Sequence, residues 1–113
     1  MPGPDHFRAF ARRLVALDGV VSDQNGRSQT ARVIDLGLGG ARLSVAHAIP
    51  LGAAVDLAIT APHLWDALVI HAEVAWVAIQ EGSRTARVGL RFKHSSGATL
   101  RALTELLDAN VYR

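Results

Sequence analysis

Two arginines near the start of the chain are the first residues whose spacing suggests chemistry. Arg8 and Arg12 lie four residues apart, so one helical turn places both guanidinium groups on the same side. Two such groups can clamp a phosphate through paired hydrogen bonds and stack on the face of a purine. Arg13 adds a third positive charge. The alternative is a solvated basic arm, because surface charges usually do no more than face water.

The second candidate is the glycine-rich segment DLGLGG at positions 35–40, which follows an apolar strand pattern. A dinucleotide-binding glycine loop needs a helix next, so that the helix N-terminus holds the pyrophosphate. The sequence continues instead with ARLSV, which alternates as a strand, so we reject that interpretation. Two interpretations of Asp35 stay open. Its carboxylate can cap a glycine-rich bend between antiparallel strands, or it can accept hydrogen bonds from N1–H and N2–H of a guanine.

The other polar residues give no case for an enzyme. The five histidines lie far apart, with no pair at metal-ligand spacing. His71 and Glu73 imitate the H-x-E of zinc deaminases, but that site needs a later cysteine pair and the chain has no cysteine. No serine lies in a nucleophile-elbow context, and no carboxylate pair suits acid–base catalysis. We therefore predict a protein that is not an enzyme and that uses neither metal nor cofactor.

Six short segments alternate between apolar and polar residues with the period of a β-strand. They span 14–21, 30–35, 41–45, 55–59, 68–76 and 88–92. Tight turns separate them, and the clearest is Asn25-Gly26, because both residues tolerate the positive φ of a hairpin turn. Six strands joined in this way favour an antiparallel barrel or sandwich.

The alternation also predicts which side chains of the last two strands face inward. One face of the fifth strand is expected to carry Leu68, Ile70, Ala72, Val74 and Trp76. His71 and Glu73 then lie on its solvent face. In the sixth strand the inward residues are expected to be Val88, Leu90 and Phe92, and the outward ones Arg87, Arg91 and Lys93. Both tryptophans, Trp65 and Trp76, are expected in the core or at its rim.

The two ends of the chain have other patterns. Residues 1–13 begin with two prolines and a glycine, and we predict an arm that carries the arginines. Ser95 and Ser96 are good N-cap residues, and apolar side chains follow them at helical spacing. These side chains are Leu100, Leu103, Leu106, Leu107 and Val111. We expect this helix to cover an open face or end of one domain that spans residues 14–113.

Composition limits the classes of protein further. A chain of 113 residues, half of them apolar, suffices for one compact domain. The lack of cysteine suits a reducing cytoplasm, and no segment is typical of a secretory signal or a membrane span. The formal charge of +2 and the thin basic surface argue against binding to long nucleic acid. We expect a cytoplasmic protein without membrane insertion.

Together, the arginine pair and the glycine segment resemble the ligand signature of the PilZ domain family. That signature is R-x-x-x-R just before the first strand, followed by D-x-S-x-x-G between the second and third strands. Here the two halves read RAFAR at 8–12 and DLGLGG at 35–40. The start of the third strand at Gly40-Ala41, VAW at 74–76, VGLRF at 88–92 and the closing helix are similar too. The resemblance covers nearly the whole chain from Arg8 onward.

The resemblance implies a six-stranded antiparallel β-barrel with an N-terminal arm and a C-terminal α-helix, acting as a bacterial receptor for cyclic di-GMP. Arg8 and Arg12 would bind phosphate and the Hoogsteen edge of guanine. Asp35 would contact guanine, and Gly40 would allow close approach of the backbone. Arg13 is a further candidate phosphate contact because it is adjacent. The ligand would order the arm over the barrel, and an unidentified protein partner would read the changed surface.

Gly37 departs from the family pattern, which has serine at this position. Loss of the hydroxyl removes one hydrogen bond, worth roughly 0.5–1.5 kcal/mol, or up to about tenfold in affinity. A backbone amide of the loop can approach the phosphate instead. The alternative function is a PilZ-like adaptor in motility, pilus or surface-polysaccharide control that has lost nucleotide binding. A small barrel that binds nucleic acid is a third interpretation.

Overall fold

The computed structural model describes residues 13–61, 65–79, 81–82, 85–93 and 97–109, which contain six strands and one helix. These elements are β1 (Arg13–Asp23), β2 (Ser28–Leu36), β3 (Gly40–Val45), β4 (Ala54–Thr60), β5 (Leu68–Ile79), β6 (Ala86–Phe92) and α1 (Gly97–Ala109). Each strand contains its predicted segment and extends beyond it. The predicted arm up to residue 12, the N-cap serines and Val111 lie outside the described residues.

The strands close into a barrel in the order β1-β2-β3-β6-β5-β4, because β1 pairs with both β2 and β4. All six pairings are antiparallel. The predicted mainly β architecture, a six-stranded antiparallel barrel with a C-terminal helix, is confirmed. The predicted turn at Asn25-Gly26 joins β1 to β2, with a φ of 82° at Gly26. Asp23 Oδ1 accepts hydrogen bonds from the N–H groups of Asn25 and Arg27 at 2.9 and 3.0 Å, which fixes this turn.

Aliphatic side chains fill the barrel and form one core. The largest of those that are fully buried are Leu36, Leu43, Leu57, Ile59, Ile70, Leu103, Leu106, Val21, Val33, Val74 and Val88. Burial of each such side chain contributes roughly 1.5–3 kcal/mol. Helix α1 contacts β5 and adds Leu103, Leu106 and Leu107 to the core, whereas Leu100 lies at its exposed margin. No helix in the described part of the chain is both long and apolar enough to cross a membrane.

Three strands depart from regular pairing close to one another. Three residue steps on β1, from Leu14 to Leu17, span two steps on β2. Ile34 of β2 is an extra residue relative to β3, and Ala75 of β5 is an extra residue relative to β6. One extra residue in a strand turns every side chain beyond it to the opposite face. These bulges therefore decide which side chains reach the outer surface of this part of the barrel.

Candidate functional site

Four residues on adjacent strands form a row across the outer surface of the barrel. Asp35 of β2 pairs with Arg42 of β3, Arg42 pairs with Gly89 of β6, and Gly89 pairs with Trp76 of β5. We call these four residues the Asp35 row. It combines a carboxylate, a guanidinium group and an indole, which are the groups that recognise a nucleotide base by hydrogen bonding and stacking.

The bulge at Ile34 places Asp35 in this row. Strict alternation from Val33, which is fully buried in the core, would point Asp35 into the barrel as well. Because Ile34 is extra, Asp35 lies opposite Arg42 instead, and the next residue, Leu36, returns to the core opposite Ala41. The bulge thus keeps a carboxylate out of the aliphatic interior, where an ionised group would be very costly.

Asp35 is nevertheless buried, at the outer wall of the barrel. Only 6% of its surface is exposed, and it is the only buried polar or charged residue in the part of the chain that the structure describes. Arg42 Nη2 lies 2.9 Å from Asp35 Oδ2, and the Arg42 side chain is 34% exposed. A charge-assisted hydrogen bond at this distance stabilises an ionised carboxylate where little water reaches it. The site therefore presents an oriented acceptor beside a positive charge.

Trp76 occupies a different face from the one its sequence position predicts. The prediction that it shares the inward face of Ile70, Ala72 and Val74 is wrong, because the extra residue Ala75 turns Trp76 outward. Trp76 is 37% exposed, and the next residue, Val77, packs against the core in its place.

The indole of Trp76 lies directly over Gly89. A Cβ atom added at Gly89 would fall far closer to the indole nitrogen and its neighbouring carbons than two atoms can approach. Gly89 therefore has a packing role, since only glycine leaves room for the ring at this position. The result is a half-exposed aromatic face at one end of the Asp35 row, with Arg42 between it and the carboxylate.

The glycine segment forms a tight connection from β2 to β3 that is tied to β6. Gly37 N–H donates to the carbonyl of Gly40 at 2.9 Å, and Phe92 N–H donates to the carbonyl of Gly39 at 2.9 Å. A Cβ atom at Gly40 would collide with the backbone carbonyl oxygen of Leu90 on β6. The close approach of β3 and β6 is thus sufficient to explain a glycine at position 40, without any ligand. The family resemblance assigned Gly40 to the ligand, and that assignment stays a prediction.

The predicted site residues come together to different extents. Asp35, Gly37 and Gly40 lie within one strand end and its connection. Arg13 begins β1, and its backbone pairs with Leu36, so the chain enters the barrel immediately beside Asp35. Arg8 and Arg12 lie outside the described residues. Sequence reasoning missed Arg42 and the outward position of Trp76. The one available signal was Gly89, since a glycine inside an alternating strand marks close approach of another group.

Basic side chains at the neighbouring end of β6 are already paired. Arg91 Nη2 contacts Glu73 Oε1, and Lys93 Nζ lies 3.8 Å from Glu73 Oε2. The hydrogen bond from Arg91, followed by the charges of Lys93 and Arg91, lowers the pKa of the Glu73 carboxyl below its ordinary value. Arg91 and Lys93 therefore share the single negative charge of Glu73, and the three side chains together keep one net positive charge near the Asp35 row.

His71 contacts Asp56 on the solvent face, as the strand alternation predicted for His71 and Glu73. Both side chains of the His71–Asp56 pair are more than half exposed. Within the described ranges, no three histidine, aspartate or glutamate side chains are arranged to hold a metal ion.

Comparison with known proteins gives the family. The PilZ domain model matches residues 6–109 of the chain. No curated protein matches the sequence significantly. The structure is similar to the Bacillus subtilis inhibitor of motility MotI/DgrA, with a TM-score of 0.69 and 17% identity over 90% of this chain and 50% of that one. The chain thus spans about half the length of the Bacillus protein.

Two further solved structures are isolated PilZ domains. The PilZ domain of YcgR from Escherichia coli, solved with c-di-GMP, gives a TM-score of 0.65 and 18% identity over 88% of this chain and 87% of that one. The PilZ domain of CeSA from a cellulose-synthesizing bacterium gives a TM-score of 0.65 and 16% identity over 87% and 95%. The barrel with its closing helix, the glycine segment behind Asp35 and the match over residues 6–109 lead to one conclusion. The chain belongs to the PilZ domain family.

Proposed function

We propose that this domain is a receptor for cyclic di-GMP. The observation that carries the proposal is the Asp35 row, in which a buried, ion-paired carboxylate on β2 and a half-exposed indole on β5 lie on one surface, at the two ends of a row of four neighbouring strands. Guanine offers two adjacent donors, N1–H and N2–H, which suit the acceptors of Asp35. A base also has a π-face that stacks on an aromatic ring, worth roughly 1–3 kcal/mol. The family and the c-di-GMP complex of the YcgR domain support the choice of nucleotide.

In this proposal the N-terminal arm binds the phosphates of the ligand. Arg8 and Arg12 clamp them, and Arg13 is a further candidate contact. Two observations support this division of roles. Arg13 starts β1 beside Leu36, so the arm enters the domain next to the Asp35 row. Arg91 and Lys93 at the end of β6 share the carboxylate of Glu73 and keep one net positive charge, which is too little for the two phosphates of the ligand, so further arginines are needed.

Binding then acts as a switch. When the nucleotide joins Arg8 and Arg12 to Asp35, the arm becomes ordered over the barrel and the exposed surface changes. A protein partner in the cytoplasm reads that surface, in control of motility or biofilm formation. The absence of nucleic-acid binding and of membrane insertion stays a prediction from the sequence.

One observation favours a second function. Gly37 offers no hydroxyl where the family has serine, so a PilZ-like adaptor that no longer binds the nucleotide is the alternative. Four family positions oppose it, since Arg8, Arg12, Asp35 and Gly40 are all retained.

Calorimetric titration of the domain with cyclic di-GMP, with GMP as the control ligand, tests the proposal. Heat of binding at micromolar concentrations or below, with much weaker binding of GMP, is the expected result. The stoichiometry then separates a single nucleotide from a stacked pair. No heat from a protein that circular dichroism shows to be folded would contradict the receptor function and support the adaptor.

A serine at position 37 should strengthen binding. The Gly37→Ser variant restores the hydroxyl of the family motif, and one added hydrogen bond raises the affinity for cyclic di-GMP by up to about tenfold. Among the described residues, positive φ occurs at Gly26, Gly52 and Gly82, so the backbone at Gly37 does not itself require glycine. Titration of Gly37→Ser and wild type side by side measures the change. Equal or weaker binding by the variant would mean that the loop has found another contact.

Trp76 should report ligand binding directly. The chain has two tryptophans, so in the Trp65→Phe variant the fluorescence comes from Trp76 alone, and cyclic di-GMP is expected to quench it. Loss of one base–aromatic contact in Trp76→Ala should weaken binding by about tenfold or more. Trp65→Ala is the matched control, since Trp65 is fully exposed, and its predicted place in the core or at its rim is wrong. If Trp76→Ala bound cyclic di-GMP as tightly as the wild type does, the indole would not contact the ligand.

A further inference from the structure

Arg42 belongs to neither half of the family signature, yet its side chain lies in the centre of the Asp35 row. It occupies the position opposite Asp35 on β3 and opposite Gly89 on β6. Its two neighbours along the strand, Ala41 and Leu43, are fully buried, which holds the backbone of Arg42 in place. The guanidinium group therefore starts from a rigid strand and reaches across to the carboxylate.

The contact between Arg42 and Asp35 is made in an environment that contains little water. Arg42 Nη2 lies 2.9 Å from Asp35 Oδ2, and Asp35 is almost wholly buried. Arg42 Nε is itself buried and has no hydrogen-bond partner. Natural proteins rarely leave a buried donor without a partner unless the arrangement serves another need. The guanidinium group is thus oriented so that it binds the carboxylate, although this leaves one of its own N–H donors without a hydrogen bond.

We propose that Arg42 is a positioning residue that fixes the Asp35 carboxylate in the orientation that reads the Watson–Crick edge of guanine. This inference rests on the proposed function. An oriented carboxylate accepts hydrogen bonds from N1–H and N2–H together. A carboxylate that is free to rotate binds less tightly, because part of the binding free energy is offset by the entropy lost when its side chain becomes ordered. Arg42 thus contributes to guanine selectivity through Asp35.

A double-mutant cycle on cyclic di-GMP binding tests this role. Arg42→Gln, Asp35→Asn and the double variant are titrated beside the wild type. We expect Arg42→Gln to weaken binding about tenfold in the wild-type background and less than about twofold in the Asp35→Asn background, because its effect passes through Asp35. Arg42→Lys, which keeps the charge but not the planar guanidinium, should recover part of the loss.

Selectivity supplies a readout that a purely structural role would not change. Cyclic di-IMP carries hypoxanthine, which lacks the 2-amino group, so the ratio of its affinity to that of cyclic di-GMP measures the reading of N2–H. This preference should fall in Arg42→Gln about as far as it falls in Asp35→Asn. If Arg42→Gln lowered the affinity for both nucleotides by the same factor and left the preference unchanged, the inference would be overturned.

Arg32→Gln is the matched control. Arg32 Nη1 also lies 2.9 Å from a carboxylate on the neighbouring strand, that of Asp18, but those side chains are 60% and 78% exposed. Its loss should leave affinity and selectivity as in the wild type, and thermal unfolding confirms that each variant is folded. A full loss from Arg42→Gln in the Asp35→Asn background would mean that Arg42 contacts the ligand itself, which overturns positioning but leaves the receptor intact. A wild-type domain that binds no cyclic di-GMP would contradict both.

Discussion

The Arg8→Ala, Arg12→Ala double variant is expected to lose cyclic di-GMP binding almost completely. Each arginine makes a charge-assisted contact with the nucleotide in the proposed complex, and contacts of this kind contribute about 1.5–3 kcal/mol apiece. If the two effects add, affinity falls by at least about a hundredfold, and calorimetry at the concentrations that saturate the wild type should detect little heat. The barrel begins at Arg13, so its own stability should change little.

The control for this loss is a variant with the same change in charge. Arg27→Ala combined with Arg101→Ala removes two arginines from the β1–β2 turn and from the exposed side of α1. That double variant should bind nearly as tightly as the wild type, because neither residue adjoins the Asp35 row. If both double variants lose affinity equally, the arginines act only through overall charge. If the Arg8, Arg12 variant binds as the wild type does, the arm has no place in the site.

Gly40→Ala is expected to destabilise the domain strongly. The added methyl group would collide with the carbonyl oxygen of Leu90, which belongs to the backbone of β6 and cannot rotate away. Separation of β3 from β6 would also strain the bond from Phe92 N–H to the Gly39 carbonyl. We expect a loss at the upper end of the range for overpacking, about 3 kcal/mol, which lowers the melting temperature of a domain of this size by roughly 10 °C or more.

Gly39→Ala is the matched substitution one residue earlier. A Cβ atom at Gly39 would meet nothing within 4 Å, so the melting temperature should stay close to that of the wild type. Urea unfolding of both variants separates a general effect of alanine in this connection from the specific contact with Leu90. A Gly40→Ala domain as stable as Gly39→Ala would show that β3 and β6 can move apart at little cost. Close approach of a ligand would then be the remaining explanation for a glycine at this position of the family signature.

Period and turn chemistry were sufficient to predict six antiparallel strands in a barrel or a sandwich, and the family resemblance then favoured the barrel. The strands around Leu43, Leu57 and Val88 alternate strictly between apolar residues and small or polar ones, so every second side chain is correctly predicted to be buried. Residues that tolerate positive φ mark the first turn. The closing helix follows in the same way from the spacing of Leu103, Leu106 and Leu107. Prediction of the buried face succeeds in every strand that has no bulge, because its side chains then alternate between the two faces along its whole length.

The candidate site is where that count fails. From Val33, alternation would bury Asp35 in the core, and from Val74 it would bury Trp76; each is turned outward by one extra residue whose type, Ile34 or Ala75, does not distinguish a bulge. Asp35 could be identified because it lies in a motif. Arg42 and Trp76 lie outside both halves of the ligand signature, and their alignment with Asp35 depends on a register across four strands that a single sequence does not specify.

The closure of the barrel restricts how any partner can read this domain. Each of the six described strands is hydrogen-bonded on both sides, since β1 and β4 complete the ring. No described strand therefore has one side wholly free, and recognition by β-augmentation, which many signalling domains use, is limited to short stretches such as the end of β5, where residues 75–79 have no register with β4. In the proposed receptor, information about the nucleotide would therefore leave the barrel mainly through side chains on its outer wall or through segments outside the sheet. A partner that binds the ligand-loaded form should accordingly contact loops, the helix or the arm, and its affinity should depend on side chains rather than on main-chain pairing.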